Sequence, residues 1–488
     1  MLKGLEISEV SFSYLHSSND ILRLDSEYFK KQYINEENLI REINYQKLVE
    51  LGNTILSFGA YSLNNHITYK TEGIPFIRGI NLKKGRIDFN NVLYINNEEN
   101  NLLYKSQVQP ETILLSMSGT IGDLAIANKN LNFPLNSNQD IAKIHPSPNI
   151  GQYFLYTFLS THFGQNYLKR EARGSVQQHV YLSQIEKIKI PRFSKNFEAS
   201  VENAVIESNN LYDLSAQLYK QAESILLKEI YLECFKPLAE GINIKTFSQS
   251  FALTGRLDAE YYQPKYDQLV EKIKSQTYDS LINIVKIKKS IEPGSKNYRE
   301  EGLPFMRVAD FSKFGLTEPQ KYLASEFVTE NKDKINKLKP KTGTILFSKD
   351  GTVGTAYQLR EDFNGITSGA ILHLKVRDKA KIIPEYLTLA LNSQIVQMQA
   401  ERDAGGSIIL HWRVSEIENV LVPIIDYSKQ QLIADLVEKS FALKKQSKHL
   451  LETAKRAVEI AIEENEQTAL DYINQNTQLD ASKYRKYS

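Results

Sequence analysis

At 488 residues, 41% apolar and 24% charged, the chain has the composition of a folded globular protein and is too long for one ordinary domain. Its opening residues hold no uninterrupted apolar segment of the signal-peptide kind, and no later run reaches the length of a membrane span. Cys234 is the only cysteine, which excludes a disulfide framework and a thiolate metal site and leads us to expect a cytoplasmic protein; a net charge of +2 neither demands nor excludes a polyanionic partner.

In chain order, an amphipathic segment is predicted over about 25–51. Short β-like runs follow at 92–95, 112–116 and 142–145, bounded by Asn, Gly and Pro turns. A helix is predicted over about 152–172, and a Gly174-Ser175 loop then leads to a strand ending at Pro191. From about 197 to 232 neither Pro nor Gly interrupts a heptad seam through Phe197, Val201, Ala204, Ser208, Leu211, Ser215, Leu218, Ala222 and Ile225. A break at 237–241 separates this half from the next.

The second half repeats the first. Leu24-Asp25-Ser26-Glu27-Tyr28 recurs as Leu257-Asp258-Ala259-Glu260-Tyr261, and Gly73-Ile-Pro75-Phe76-Ile-Arg78 as Gly302-Leu-Pro304-Phe305-Met-Arg307. Ser116, Gly119-Thr120-Ile-Gly122, Gly174-Ser175 and Ile190-Pro191 recur as Ser348, Gly351-Thr352-Val-Gly354, Gly406-Ser407 and Val422-Pro423, each at an offset of 232. The predicted amphipathic segment is now 258–273, the β-like runs 343–347 and 371–376, and the helix 384–403. A second seam runs through Ile433, Leu436, Ser440, Leu443, Ser447, Leu450, Ala454, Ala457 and Ala461, with Ser208 and Ser440, and Ser215 and Ser447, again 232 apart. Small residues at matched places predict two helices lying closely against each other. After about Glu466 the Asn/Gln-rich sequence predicts a loosely held tail.

Catalytic motifs are missing. The sequence holds no Walker lysine loop, no Gly-x-Gly, no Pro-Pro pair of an aminomethyltransferase signature, no His-x-x-x-His and no Gly-x-Ser-x-Gly elbow. The polar loops carry more information. Ser116-Met-Ser118-Gly119-Thr120 and Ser348-Lys349-Asp350-Gly351-Thr352 are tight turns that place hydroxyl and charged groups at a surface. Arg173-Gly174-Ser175-Val-Gln177-Gln178-His179 gathers the groups that read base edges and phosphates. Basic residues outnumber acidic ones around it (Lys169, Arg170, Arg173, Lys187, Lys189, Arg192 and Lys195 against Glu171 and Glu186), as in a phosphate-facing strip. The matching loop, Arg402 to Arg413 with Ser407, His411 and the single tryptophan Trp412, is less basic; positive charge lies instead at 286–299 and 332–341. The frame is duplicated while its loops have diverged.

These motifs, with Asn138-Gln139-Asp140-Ile141, the Gly174-Ser175 loop leading to Ile188-Lys-Ile-Pro191, and Gln431-Leu-Ile433-Ala434, resemble the specificity subunit of type I restriction–modification systems over nearly the whole chain. Two departures stand out: Gly365-Ile-Thr-Ser368-Gly369 replaces an Asn-Gln pair, and the first long helix lacks the Gln-x-x-Ile-Ala start. The resemblance implies an α+β chain of two target-recognition domains, each a mixed β-sheet with helices, separated by two long antiparallel coiled-coil-like helices in a pseudo-two-fold repeat. The expected boundaries are 1–193 for the first recognition domain, 194–236 for the first long helix, 237–426 for the second domain, 427–466 for the second helix and 467–488 for a polar tail. A helix of about 36 residues is roughly 54 Å long, enough to set two readers a DNA turn of roughly 34 Å apart.

By the same resemblance the chain is no enzyme itself. It would read a bipartite, asymmetric duplex site and dock two adenine methyltransferase (modification) subunits and the restriction/translocase subunits, with no membrane partner. It would bind no cofactor directly; S-adenosylmethionine, ATP and Mg would belong to those partners. Candidate DNA contacts are Arg78, Ser116, Ser118, Thr120, Asn138, Gln139, Arg173, Ser175, Gln177, Gln178 and His179 in the first half. In the second they are Arg307, Ser348, Lys349, Thr352, Ser368, Arg402, Ser407, His411 and Arg413. The rivals are the specificity component of a related methylation-based phage-defence complex, and a coiled-coil scaffold whose globular repeats bind protein or glycan.

Overall fold

The computed structural model describes residues 8–18, 23–58, 66–83, 85–174, 178–233, 235 and 242–484, side chains of 16–18 and 478–484 excepted. The break expected at 237–241 and Cys234 lie outside them. The chain divides into two compact units, one within Met1–Tyr212 and Lys444–Ser488, the other Asp213–Leu443.

Both units have the same architecture. In the first, a four-stranded sheet takes the order Leu93–Ile95, Ile74–Ile77, Leu135–Ser137, Gln107–Val108; a second takes the order Ile55–Leu56, Ile141–Ile144, Ile113–Ser116, Leu124–Ile126. The other unit repeats the second sheet and three strands of the first, with Leu303–Met306 beside Ile366–Thr367 in one sheet and Ile371–Val376 beside Ile345–Ser348 in the other; its fourth strand, Tyr298–Arg299, joins the opposite edge from Gln107–Val108. In each unit the first of these pairs is parallel and the second antiparallel. The repeated Gly-x-Pro-Phe motif has a steric cause. A Cβ at Gly73 would lie 2.6 Å from the Ile95 carbonyl oxygen of the neighbouring strand, and one at Gly302 2.5 Å from that of Leu323.

Several sequence expectations need correction. The segment 25–51 is not one amphipathic element: the helix covers only Lys31–Glu42, and Tyr45–Lys47 pairs with Lys189–Pro191 at the far end of the domain's sequence. Each helix predicted over 152–172 and 384–403 is a pair, Gln152–Ser160 with His162–Glu171, and Pro384–Asn392 with Gln394–Asp403. At the first joint the chain extends at Thr161, whose hydroxyl accepts from the Gly164 N–H and restarts the helix.

The first seam helix runs from Lys195 to Glu229. Ser194 caps its start, its hydroxyl accepting from the Phe197 N–H at 3.2 Å. It stops short of the predicted 232 because Tyr231 takes a left-handed conformation, φ 57°, and turns the buried Leu232 back to the core. The second seam helix spans Tyr427–Glu463. In the first unit the Ser208 hydroxyl donates to the Ser447 carbonyl at 2.7 Å and the Ser447 hydroxyl to that of Ser208 at 2.6 Å. In the other, the Ser440 hydroxyl donates to the Ser215 carbonyl at 2.7 Å. Position 208 facing 447, and 215 facing 440, makes the helices antiparallel, and the repeat maps one serine pair onto the other.

The tail is not loose. Glu466–Tyr484 is a helix whose start is capped by Asn465, the side-chain oxygen accepting from the Thr468 N–H at 2.9 Å. Ala469 and Ile473, one turn apart, are buried in the first unit's core. Among the described residues no helix is long and apolar enough to cross a membrane.

Because Ser208 and Ser447 are fully buried where two backbones approach, Ser208→Leu is expected to cost about 1–3 kcal/mol by overpacking. Ser208→Ala, which loses the bond that the Ser208 hydroxyl donates but keeps the one it accepts at its carbonyl and the close approach, should cost roughly 1 kcal/mol. Denaturant unfolding of the two variants checks the order.

Candidate nucleic-acid interface

The parallel strand pair decides where the polar loops emerge. In the first unit Ser137 lies beside Ile77, and the Asn138 N–H continues the ladder by donating to the Ile77 carbonyl at 2.9 Å. Arg78 and Asn138 therefore leave the sheet side by side. The chain crosses to the other sheet, where the Met117 N–H donates to the Asp140 carbonyl at 2.7 Å. The Val180 N–H then donates to the Met117 carbonyl at 2.9 Å, Ser118 bridges to His179, and Arg173 and His179 exchange backbone bonds of 2.9 and 2.7 Å. Arg78, Asn138, the 116–122 turn, Arg173 and His179 are thus linked along one continuous edge.

The second unit reproduces this ladder. The Ser368 N–H donates to the Met306 carbonyl at 2.8 Å, beside Arg307. The Lys349 N–H donates to the Ala370 carbonyl, and the Trp412 N–H to the Lys349 carbonyl, both at 2.8 Å. Asp350 bridges to His411, and Gly405 and His411 exchange bonds of 3.1 and 2.7 Å. Ser368 therefore occupies the place of Asn138, resolving the departure noted in the sequence. Its hydroxyl and the Asn138 side-chain Oδ1 are buried without a hydrogen-bond partner, as are the Nε atoms of Arg78, Arg173 and Arg307. Unsatisfied buried polar atoms are costly, and here they recur at matched positions of both edges.

Individual candidates separate by their contacts. Ser116 and Ser348 are buried and hold their turns: the Ser116 hydroxyl donates to the Ser118 carbonyl at 3.0 Å, and the Ser348 hydroxyl accepts from the Thr355 N–H at 2.9 Å. Thr120, Gln178, Thr352, Ser407, His411 and Arg413 are exposed, and Gln139 is half-buried. His411 Nδ1 lies 2.9 Å from Asp350, which also pairs with Lys349. Arg402 is turned inward, paired with Asp403 at 2.7 Å and stacked over Tyr261. Ser175 and Gln177 lie outside the described residues.

The expected phosphate-facing strip is not one surface. Arg170 and Lys189 both pair with Glu37 of the helix Lys31–Glu42, and Arg192 pairs with Glu198 at 3.0 Å. Burial alone would raise the Glu37 carboxyl, but Lys189, Arg170 and Arg41 together hold it far below the usual range. A carboxylate more than a hundred positions away neutralises charge that looked free in the sequence.

Beneath each edge sits a buried base that the sequence reading missed. Lys143 Nζ donates to the Ser137 hydroxyl at 3.1 Å and to the Ile141 carbonyl at 3.0 Å. At the equivalent place His373 Nε2 lies 2.9 Å from the Thr367 hydroxyl. Ser137 and Thr367 immediately precede Asn138 and Ser368, so each base anchors the strand end that presents the edge. The available signal was a basic residue set in an apolar run, Ile-Ala-Lys143-Ile and Ile-Leu-His373-Leu, at matched positions. Burial pushes Lys143 down to about 7 and, with Lys288 nearby, His373 down to about 4.

An unfolded lysine keeps its proton to about pH 10.4, whereas Lys143 loses it near pH 7 in the fold. Folding releases a proton between those values, so this group makes stability rise with pH across that window. Lys143→Met is expected to flatten the rise and to stabilise the protein at pH 6, as measured by denaturant unfolding between pH 6 and 9.

Among known proteins, the family model described as "Type I restriction modification DNA specificity domain" matches residues 48–192 and 273–453. Over 159 residues, 29% of this chain, the sequence is 24% identical to the type I restriction enzyme EcoBI specificity subunit of Escherichia coli, and the match spans a third of that relative's length. Two solved structures are similar at 15 and 16% identity: the S subunit of a type I restriction–modification system from M. genitalium and the HsdS subunit from Thermoanaerobacter tengcongensis. Each comparison covers 88% of this chain and 96% of the other, with TM-scores of 0.38 and 0.26.

Proposed function

The chain belongs to the family of type I restriction–modification DNA specificity proteins, and on that premise we propose that it reads a bipartite, asymmetric duplex target, one half-site per recognition edge. The observation that carries this reading is the ladder of backbone bonds repeated in both units, which fixes two equivalent edges while their side chains differ. Arg78, Asn138, Arg173 and His179 face one half-site; Arg307, Ser368, Lys349 and His411 face the other. A rigid backbone with exchangeable side chains suits direct readout, in which arginine pairs with guanine and asparagine with adenine. Catalysis then lies in the partners: two adenine methyltransferase subunits holding S-adenosylmethionine, and the ATP- and Mg-dependent restriction subunits, all docked on this chain.

The test is binding of the assembled complex to duplexes that vary one half-site at a time. Affinity should fall steeply with salt, by a slope of about 0.9 per phosphate contact. Arg173→Ala should weaken recognition of one half-site by roughly 1–3 kcal/mol and leave the other unchanged. Salt-insensitive binding, or equal loss at both half-sites, would contradict the assignment.

A further inference from the structure

The loop between Gly406 and His411 carries three consecutive apolar side chains into solvent. Ile408 is 95% exposed, Ile409 54% and Leu410 41%. A run of this kind on a surface is a liability unless it has a use. Here it stands on the recognition edge of the second unit, beside Thr352, His411 and Arg413, where the first half of the sequence has Val176, Gln177 and Gln178.

The loop is also held in shape. Gly405 and His411 close its base through their pair of backbone bonds, and the Gly351 N–H donates to the Leu410 carbonyl at 2.9 Å, tying it to the neighbouring turn. Gly406 has φ +135°, and a Cβ there would lie 2.1 Å from the Ile409 carbonyl oxygen, so only glycine permits this curl. Directly below, Trp412 is buried against Phe347, with ring centroids 5.8 Å apart. The apolar tip therefore stands on a braced base.

We propose that Ile408, Ile409 and Leu410 form an apolar wedge that inserts at a base step of the second half-site. This rests on the DNA-reading function proposed above. Size favours a duplex over a protein as the occupant. A stable protein interface needs roughly 800 Å² from each partner, far more than three side chains supply, whereas one or two aliphatic side chains suffice to part a base step. The neighbouring Arg413 and His411 supply positive and hydrogen-bonding groups of the kind that accompany such a wedge on a phosphate backbone. The insertion would favour a flexible pyrimidine–purine step, so the second half-site would be read partly through deformability and the first mainly through hydrogen bonds.

The test uses the full chain assembled with its modification subunits and a duplex carrying the target defined by its methylation motif. 2-Aminopurine is placed at each step of the second half-site in turn, and binding is measured at several salt concentrations. Wild type should raise the fluorescence at one step. The double variant Ile408→Ser, Ile409→Ser should abolish that signal and weaken binding on the order of tenfold, with an unchanged salt slope because no phosphate contact is lost. Its thermal midpoint should not move, since both side chains are exposed. The wedge is refuted if no step of the second half-site is unstacked by wild type, or if the variant binds as wild type does. It is equally refuted if the variant loses its modification subunits while the complexes that do assemble bind DNA normally, which would make the loop a protein contact. Failure of wild type to select any duplex would instead overturn the DNA-reading function itself.

Discussion

The parallel pairing of Ile74–Ile77 with Leu135–Ser137, and of Leu303–Met306 with Ile366–Thr367, is the constraint from which the rest of each unit follows. Parallel strands send their carboxyl ends out of the same edge, so Arg78 and Asn138, or Arg307 and Ser368, emerge together although about sixty residues separate them. The chain must then cross to the antiparallel sheet, and that pairing returns the glycine turn to the same edge. Backbone bonds from Val180 in one unit and from Trp412 in the other complete it. None of these steps depends on which side chains the edge displays, which is how one frame can be kept while those side chains diverge.

Duplication made much of this legible in the sequence. The matched motifs at nearly constant offsets located the strands, the turns and both long helices, and the paired serines announced that the helices approach closely. Long-range partners stayed hidden. Lys189 and Arg170 look available until Glu37 is seen between them, and an offset cannot report a carboxylate that the other half lacks. Tyr45–Lys47 reads as part of an amphipathic segment because its partner strand lies at the other end of the domain's sequence. The Asn/Gln-rich composition after Glu466 obscured the one-turn spacing of Ala469 and Ile473.

The site residues divide along physical lines that residue type alone does not reveal. Ser116 and Ser348 read as polar groups in a surface turn, yet both hydroxyls point inward and hold that turn. Arg402 is engaged by Asp403 and Tyr261. Conversely, Lys143 and His373 are buried in the core, and each anchors the residue before Asn138 or Ser368. A buried base without a carboxylate is costly, and finding one at the same place in both units ties that cost to the edge above it. Lysine in one half and histidine in the other also give the two edges different pH windows.

On the proposed function, the two edges read two half-sites for one modification complex. The most direct measurement is methylome sequencing of cells that carry this chain together with its adenine methyltransferase partner, alongside cells that carry the partner alone. The account predicts a single bipartite methylated motif with an unspecified spacer that vanishes without this chain. A continuous motif, or methylation that persists in its absence, would contradict it.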